Sequence, residues 1–172
     1  MEPTQSRLKE LFDYHKDGYL IWINKSTKMA NTSLIDSFAG CLTKGEKLKD
    51  YWSINVDNKS CKAHRLIWIW HFGKITKKEI DHINGNGLDN KIENLRQVSR
   101  SQNMMNQKIN VLNTSGAKGV HFSKNHKKWL AYIKIDQKRI HVGSFDNLFS
   151  AAIARKEAEQ KYFGEFARKE TK

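Results

Sequence analysis

Between Ile80 and Asn103 the chain reads IDHINGNGLDNKIENLRQVSRSQN, and the residue types gathered there suit one kind of chemistry. Asp81 and His82 are adjacent, Asn94 follows a turn rich in Asn and Gly, and Asn103 closes a second polar cluster. Imidazole is the side chain whose ordinary pKa makes it a base near neutral pH. A carboxylate and amide carbonyls are hard oxygen donors, better suited to magnesium or manganese than to a closed zinc cage. Hydrolysis of a phosphodiester needs such a base to deprotonate water and such a cation to stabilise the charged transition state. An Asp-His dipeptide alone is usually a strand end at the surface, and NGNGLDN alone is turn chemistry. Only the ordered set is specific.

Local elements must hold these groups. The run EIDHI alternates as a strand does and is bounded by the turn signals Asn84-Gly85 and Asn86-Gly87. Asn94 to Val98 has strand character again, and Ser99-Arg100-Ser101-Gln102 has the capping-box form of a helix start, which puts Asn103 in the first turn of that helix. Strand, irregular loop, strand and helix make a compact ββα unit.

The DH, ENLR and SQN elements, in that order, resemble the HNH (ββα-metal) nuclease family. The nearest likeness is to the phage and intron homing-endonuclease branch, in which the last His of the name is an Asn. The resemblance implies that Asp81 and Asn103 hold one divalent cation, Mg2+ or Mn2+, per ββα unit, leaving places for phosphate oxygens and water. It implies that His82 is the general base, and that Asn94 bonds the loop backbone so that His82 points correctly. It further implies double-stranded DNA as partner, nicking by a monomer with a homodimer left open, and 5′-phosphate and 3′-hydroxyl ends. A bacterial or phage-infected cytoplasm would be the setting. His64, in the run HRLIW, resembles a recurrent family element and is not assigned to catalysis.

A second informative region runs from Asn113 to Ala167. Lys118-Gly119-Val120, the run Lys128 to Ile133, Val142-Gly143-Ser144-Phe145, Ala151 to Ala154 and Gly164 to Ala167 resemble the plant ethylene-response-factor (Apetala-two type) DNA-binding domain. That family's fold is a three-stranded antiparallel sheet packed on one helix, with the sheet in the DNA major groove. Periodicity agrees: Trp129, Ala131, Ile133 and Ile135 fall on one face of a strand, Leu130, Tyr132 and Lys134 on the other. In the next strand Ile140 and Val142 oppose Arg139, His141 and Gly143. A helix from Asp146 or Asn147, rich in Ala and ending before Gly164, can approach such a sheet closely. By alignment with the plant family the DNA-binding face carries Lys118, His121, Ser123, Tyr132, Lys134, Arg139 and His141. Lys, His, Ser and Tyr mostly stand where that family has Arg, so fewer bidentate base contacts are expected.

Charge supports a polyanionic partner. The net charge is +13 over 172 residues, with a pI near 9.7. From Gln107 to Lys172 there are fourteen Lys plus Arg against six Asp plus Glu, a net of +8. No long apolar segment or signal-peptide pattern points to a membrane. Cys41 and Cys61 lack the close spacing of a zinc site and read as two reduced thiols, with a disulfide between them left open. Upstream, Leu8 to Phe12 reads as a short helix, Gly18 to Ile23 and Ser53 to Asp57 as strands, Asn58-Lys59 as a turn, and Lys62 to Trp70 as strand or helix. Trp22, Trp52, Trp68, Trp70 and Phe72 are expected in the core.

The expectation is therefore an α+β chain. Residues 1–106 form a β-rich support with a ββα nuclease core at 62–106, 107–117 a linker, and 118–168 the ethylene-response-factor-like domain. The expected function is site-directed DNA cleavage of the homing type. The competing expectation is a sequence-specific DNA-binding regulator with an inactive nuclease fold; an RNA partner fits less well, because a sheet cannot enter the narrow A-form major groove.

Overall fold

The computed structural model describes residues 2–24, 36–43, 50–76 and 79–168. The chain divides into two compact units, Met1–Ser99 and Arg100–Lys172. The division falls at the start of the helix that carries Asn103, ahead of the 107–117 segment expected to be the linker. Among the described residues no helix is long and apolar enough to cross a membrane.

The first unit begins with α1 (Gln5–Leu11), capped by Thr4, whose hydroxyl accepts from Arg7 N. Strands β1 (Phe12–His15), β2 (Tyr19–Trp22) and β3 (Phe38–Ala39) form one antiparallel sheet; β4 (Cys41–Thr43), β5 (Tyr51–Val56) and β6 (Lys59–Lys62) form another. The β5–β6 turn is Asp57-Asn58, both at positive φ, one residue earlier than the sequence suggested. The ambiguous run resolves as helix α2 (Ala63–Phe72): Ala63, Leu66, Ile67 and Trp70 recur at helical spacing and pack inward. With Leu8, Leu11, Phe12, Leu20, Trp22 and Ile54 they make the core, and Trp70 Nε1 donates to Phe12 O at 3.0 Å. Phe72 is a correction. It is 56% exposed at the last turn of α2, with its ring 4.4 Å from that of Trp68 one turn earlier. Strands β7 (Glu79–His82) and β8 (Leu95–Val98) pair antiparallel, joined by the Asn-rich loop and a 3-10 turn at Ile92–Asn94. Cys41 and Cys61 are free thiols.

The second unit holds α3 (Arg100–Met105), then β9 (Val120–Ser123), β10 (Lys128–Ile135) and β11 (Lys138–Phe145) in the order β11-β10-β9, and α4 (Leu148–Phe163). Asn147 caps α4 by accepting from Ser150 N at 2.8 Å. Val120, Ala131 and Ala151 form one buried cluster, and Ile133, Ala158 and Phe163 a second, so small alanines let the helix lie against the sheet. The β10–β11 register shifts between Ala131 and Tyr132, which pair with Gly143 and His141. That bulge inserts Val142 and moves Gly143 to the core face, away from the polar face that simple alternation gave it. A Cβ there would meet the Phe145 ring at 2.8 Å, so any other residue would have to displace that ring.

Candidate active site

The β7–β8 register puts Asp81 opposite Arg96 and His82 opposite Leu95. Asp81 and His82 are 8% and 6% exposed. A charged or hydrogen-bonding group taken so far out of water needs a partner, and both have one. Arg96 Nε and Nη2 each donate to Asp81 Oδ2 at 3.0 Å. His82 Nε2 lies 2.8 Å from Asn90 Oδ1. An amide oxygen only accepts, so with this amide orientation Nε2 carries the proton and Nδ1 the lone pair of the neutral ring. Asn90 is 2% exposed and is therefore a buried arm of the site rather than a turn residue.

The loop between the strands is braced from within. Asn94 Oδ1 accepts from Asn84 N at 3.0 Å, and Asn94 Nδ2 donates to Asp89 O at 2.7 Å and to Asn84 Oδ1 at 3.1 Å. Asn84 Nδ2 donates to Asp89 Oδ2 at 2.7 Å. Asn94 thus ties the two ends of the loop that follows His82, while Asn90 leaves the same loop to hold the imidazole.

The N-terminal hairpin buttresses this loop. Tyr14 Oη accepts from Ile92 N at 3.0 Å. Gly18, at φ 89°, turns β1 into β2 against the Asn90–Lys91 backbone, where any Cβ would collide. On another side, the rings of Tyr51 and His64 stand 6.2 and 5.0 Å from that of His82. Burial, followed by the neighbouring His82, Lys62 and Arg65, holds the His64 imidazole well below its usual range. Burial and then the Asp81 charge push the Tyr51 phenol up. His64 is consequently a neutral wall of the site at neutral pH.

Among the described residues no group of three or more His, Cys, Asp or Glu side chains could hold a metal ion. Asp81 offers one carboxylate, whose Oδ2 already accepts from Arg96. That chemistry fits a hard cation that keeps most of its ligands as water or phosphate, and does not fit a closed zinc cage. Asn103 lies in α3 of the second unit.

Of the residues assigned to DNA contact, six lie on β9, β10 and β11. Register places His121, Tyr132, Lys134, Arg139 and His141 on the face opposite the Ala131–Ile133 core, with Ser123 beside Lys128. The His121 and Tyr132 rings are nearly parallel at 5.6 Å, His141 stands 5.0 Å from Tyr132, and the Arg139 guanidinium lies 3.6 Å over the Tyr132 ring. Leu130 on the same face is only 9% exposed, so the face is partly apolar. Lys118 is used differently. Its ammonium donates to Met105 O and Gln107 O, both at 3.2 Å, and burial lowers its pKa. It closes the end of α3 and is not presented with the other basic groups.

Arg96 and Asn90, like Tyr51, escaped sequence reasoning. Arg96 could have been found by pairing the two expected strands, since placing His82 opposite Leu95 puts Asp81 opposite Arg96. Asn90 gave no signal beyond its turn-like neighbours.

Residues 61–105 match the HNH endonuclease family. The chain is also similar to Protein 3.8 of Escherichia phage T7, with 33% identity over 111 residues, covering 64% of this chain and 91% of that protein. No solved structure matches it significantly. With the likeness running through almost the whole of the phage protein, this chain belongs to the family of phage T7 Protein 3.8, and it carries an HNH endonuclease domain.

Proposed function

We propose that the chain is a metal-dependent DNA endonuclease of the HNH homing type that nicks duplex DNA to leave 5′-phosphate and 3′-hydroxyl ends. The buried His82–Asn90 hydrogen bond inside the HNH-matching segment carries this reading, because it fixes the tautomer that leaves Nδ1 as a base. His82 takes the proton of the attacking water, Asn90 and the Asn94-braced loop hold the ring in place, and His64 and Tyr51 keep its surroundings dry. Asp81 and, on the family resemblance, Asn103 are the residues that would hold the divalent cation. When bound, that cation supplies charge stabilisation at the phosphate and the leaving 3′ oxygen. The basic face carrying Arg139 and Lys134 grips the duplex.

One observation favours a second reading, a DNA-binding regulator with an inactive nuclease fold: Arg96 places two donors on Asp81 Oδ2, where a cation would compete with them. A randomised duplex library incubated with Mg2+ or Mn2+, beside a chelator control and the His82→Ala protein, separates the two. Metal-dependent breaks should fall about 10²–10⁴-fold in the variant while binding persists, the usual worth of a general base. Binding without breaks under any metal condition would establish the regulator.

A further inference from the structure

An apolar tip projects from the second unit between α3 and β9. Asn113 N donates to Asn110 O at 2.9 Å, closing a β-turn, and Leu112 N donates to Asn110 Oδ1 at 2.9 Å. The two central positions of that turn are Val111 and Leu112, 82% and 83% exposed, with Ile109 42% exposed beside them. Such positions ordinarily take Pro, Asp, Asn, Ser or Gly, for reasons of backbone shape and local hydrogen bonding. Val and Leu contradict that chemistry, and conflicts of this sort concentrate where function demands them.

The tip is also held in place. On one flank Lys118 pins Met105 O and Gln107 O; on the other Asn113 Nδ2 donates to Ala117 O at 3.2 Å, and Ser115 Oγ donates to Val120 O at 2.7 Å. A segment tethered at both ends has less conformational entropy left to lose on binding. Its electrostatic setting is one-sided. The unit that carries it has fifteen Lys plus Arg against six Asp plus Glu, and from Arg100 to Ile135 it holds no acidic residue, with Lys118 turned inward and Lys128 paired with Asp146. The partner must therefore be anionic outside and apolar within reach of two side chains. Duplex DNA has that form, with phosphates at the rim and stacked bases inside.

We propose that Leu112, flanked by Val111, is a wedge that enters the minor groove and inserts between adjacent base pairs, unstacking and kinking the duplex. The proposal rests on the DNA-endonuclease reading and adds to it a mode of target choice. Pyrimidine–purine steps unstack most readily, so TA and CA steps are the favoured point of entry. An anionic bilayer offers a similar combination of charge and apolar interior; the HNH match of residues 61–105 favours DNA.

The test uses the full chain in Ca2+ or chelator, with duplexes that carry 2-aminopurine at a central TA step and a dye pair at the ends. Binding of the unaltered protein should raise 2-aminopurine fluorescence and shorten the end-to-end distance. The V111S/L112S double variant should lose both signals while keeping its salt-dependent affinity and its thermal melt, and V111I/L112M should restore both. Unaltered protein that binds without unstacking, or a double variant that distorts DNA as its parent does, overturns the wedge and leaves the nuclease reading standing. Failure of the unaltered protein to bind any duplex overturns both. Loss in the double variant of binding to phosphatidylserine vesicles, with DNA distortion unchanged, overturns the wedge and gives the tip to a membrane.

Discussion

At the scale of single residues, the groups that react are less informative than those that orient them. His82 can serve as a base only from the nitrogen that does not carry the proton, and Asn90 decides which one that is. Asn90→Ala should lower single-turnover cleavage about 10- to 100-fold, in the range seen when an orienting partner is removed. Binding of duplex in chelator should stay unchanged, and Asn90→Gln should not rescue, because its longer arm misplaces the oxygen. A variant that cleaves as fast as its parent would remove Asn90 from the machinery. The sequence displayed Asp81, His82 and Asn94 because their types and order are distinctive. It hid Asn90, because an Asn inside NGNGLDN has the local signature of a turn, and its burial depends on tertiary contacts such as the approach of the Gly18 hairpin to its backbone.

At the scale of elements, periodicity made the β10 faces and the helix after Asn147 readable, since the strand register and the capping chemistry follow the sequence pattern, although Leu130 is buried on the face that alternation gave to solvent. It could not reveal the bulge at Val142, which depends on fitting Gly143 under the Phe145 ring, nor the fate of Lys118. Counted by type, Lys118 is one more cation for DNA. In place, it ends α3 together with Arg168, whose Nη1 donates to Asn106 O at 3.1 Å; both cations meet the carbonyls at the negative end of the helix. Hydrogen bonds from a charged donor contribute about 1.5–3 kcal/mol. Lys118→Met should therefore lower the stability of the chain by an amount of that order, seen in urea unfolding, and speed amide exchange around Asn106. The salt dependence of DNA binding should be unchanged. If Lys118→Met instead reduces the salt slope by about one and leaves stability alone, the residue contacts phosphate after all.

At the scale of the molecule, the charge is unevenly shared. The second unit, Arg100–Lys172, has fifteen Lys plus Arg against six Asp plus Glu, so it carries +9 of the +13, leaving +4 to the first. Neutralising each phosphate releases condensed counterions, and log affinity falls with log salt at a slope of about −0.9 for every phosphate contacted. A grip of six to ten phosphates loses about 10³–10⁵ in affinity between 50 and 200 mM salt. The chemical step should behave differently. The His82–Asn90 pair is buried, the Asn94 brace is half-buried, and both are short-ranged, whereas salt acts on exposed charges beyond a Debye length of roughly 10 Å. Raising salt should therefore increase the protein concentration needed for half-maximal nicking by orders of magnitude, and leave the single-turnover rate at saturating protein within about threefold at fixed Mg2+. The measurement is nicking rate against protein concentration at several salt levels. If the saturated rate falls in parallel with affinity, the basic second unit is not merely holding DNA but is needed at the reacting phosphate itself. The excess charge of Arg100–Lys172 would then belong to catalysis as well as to capture.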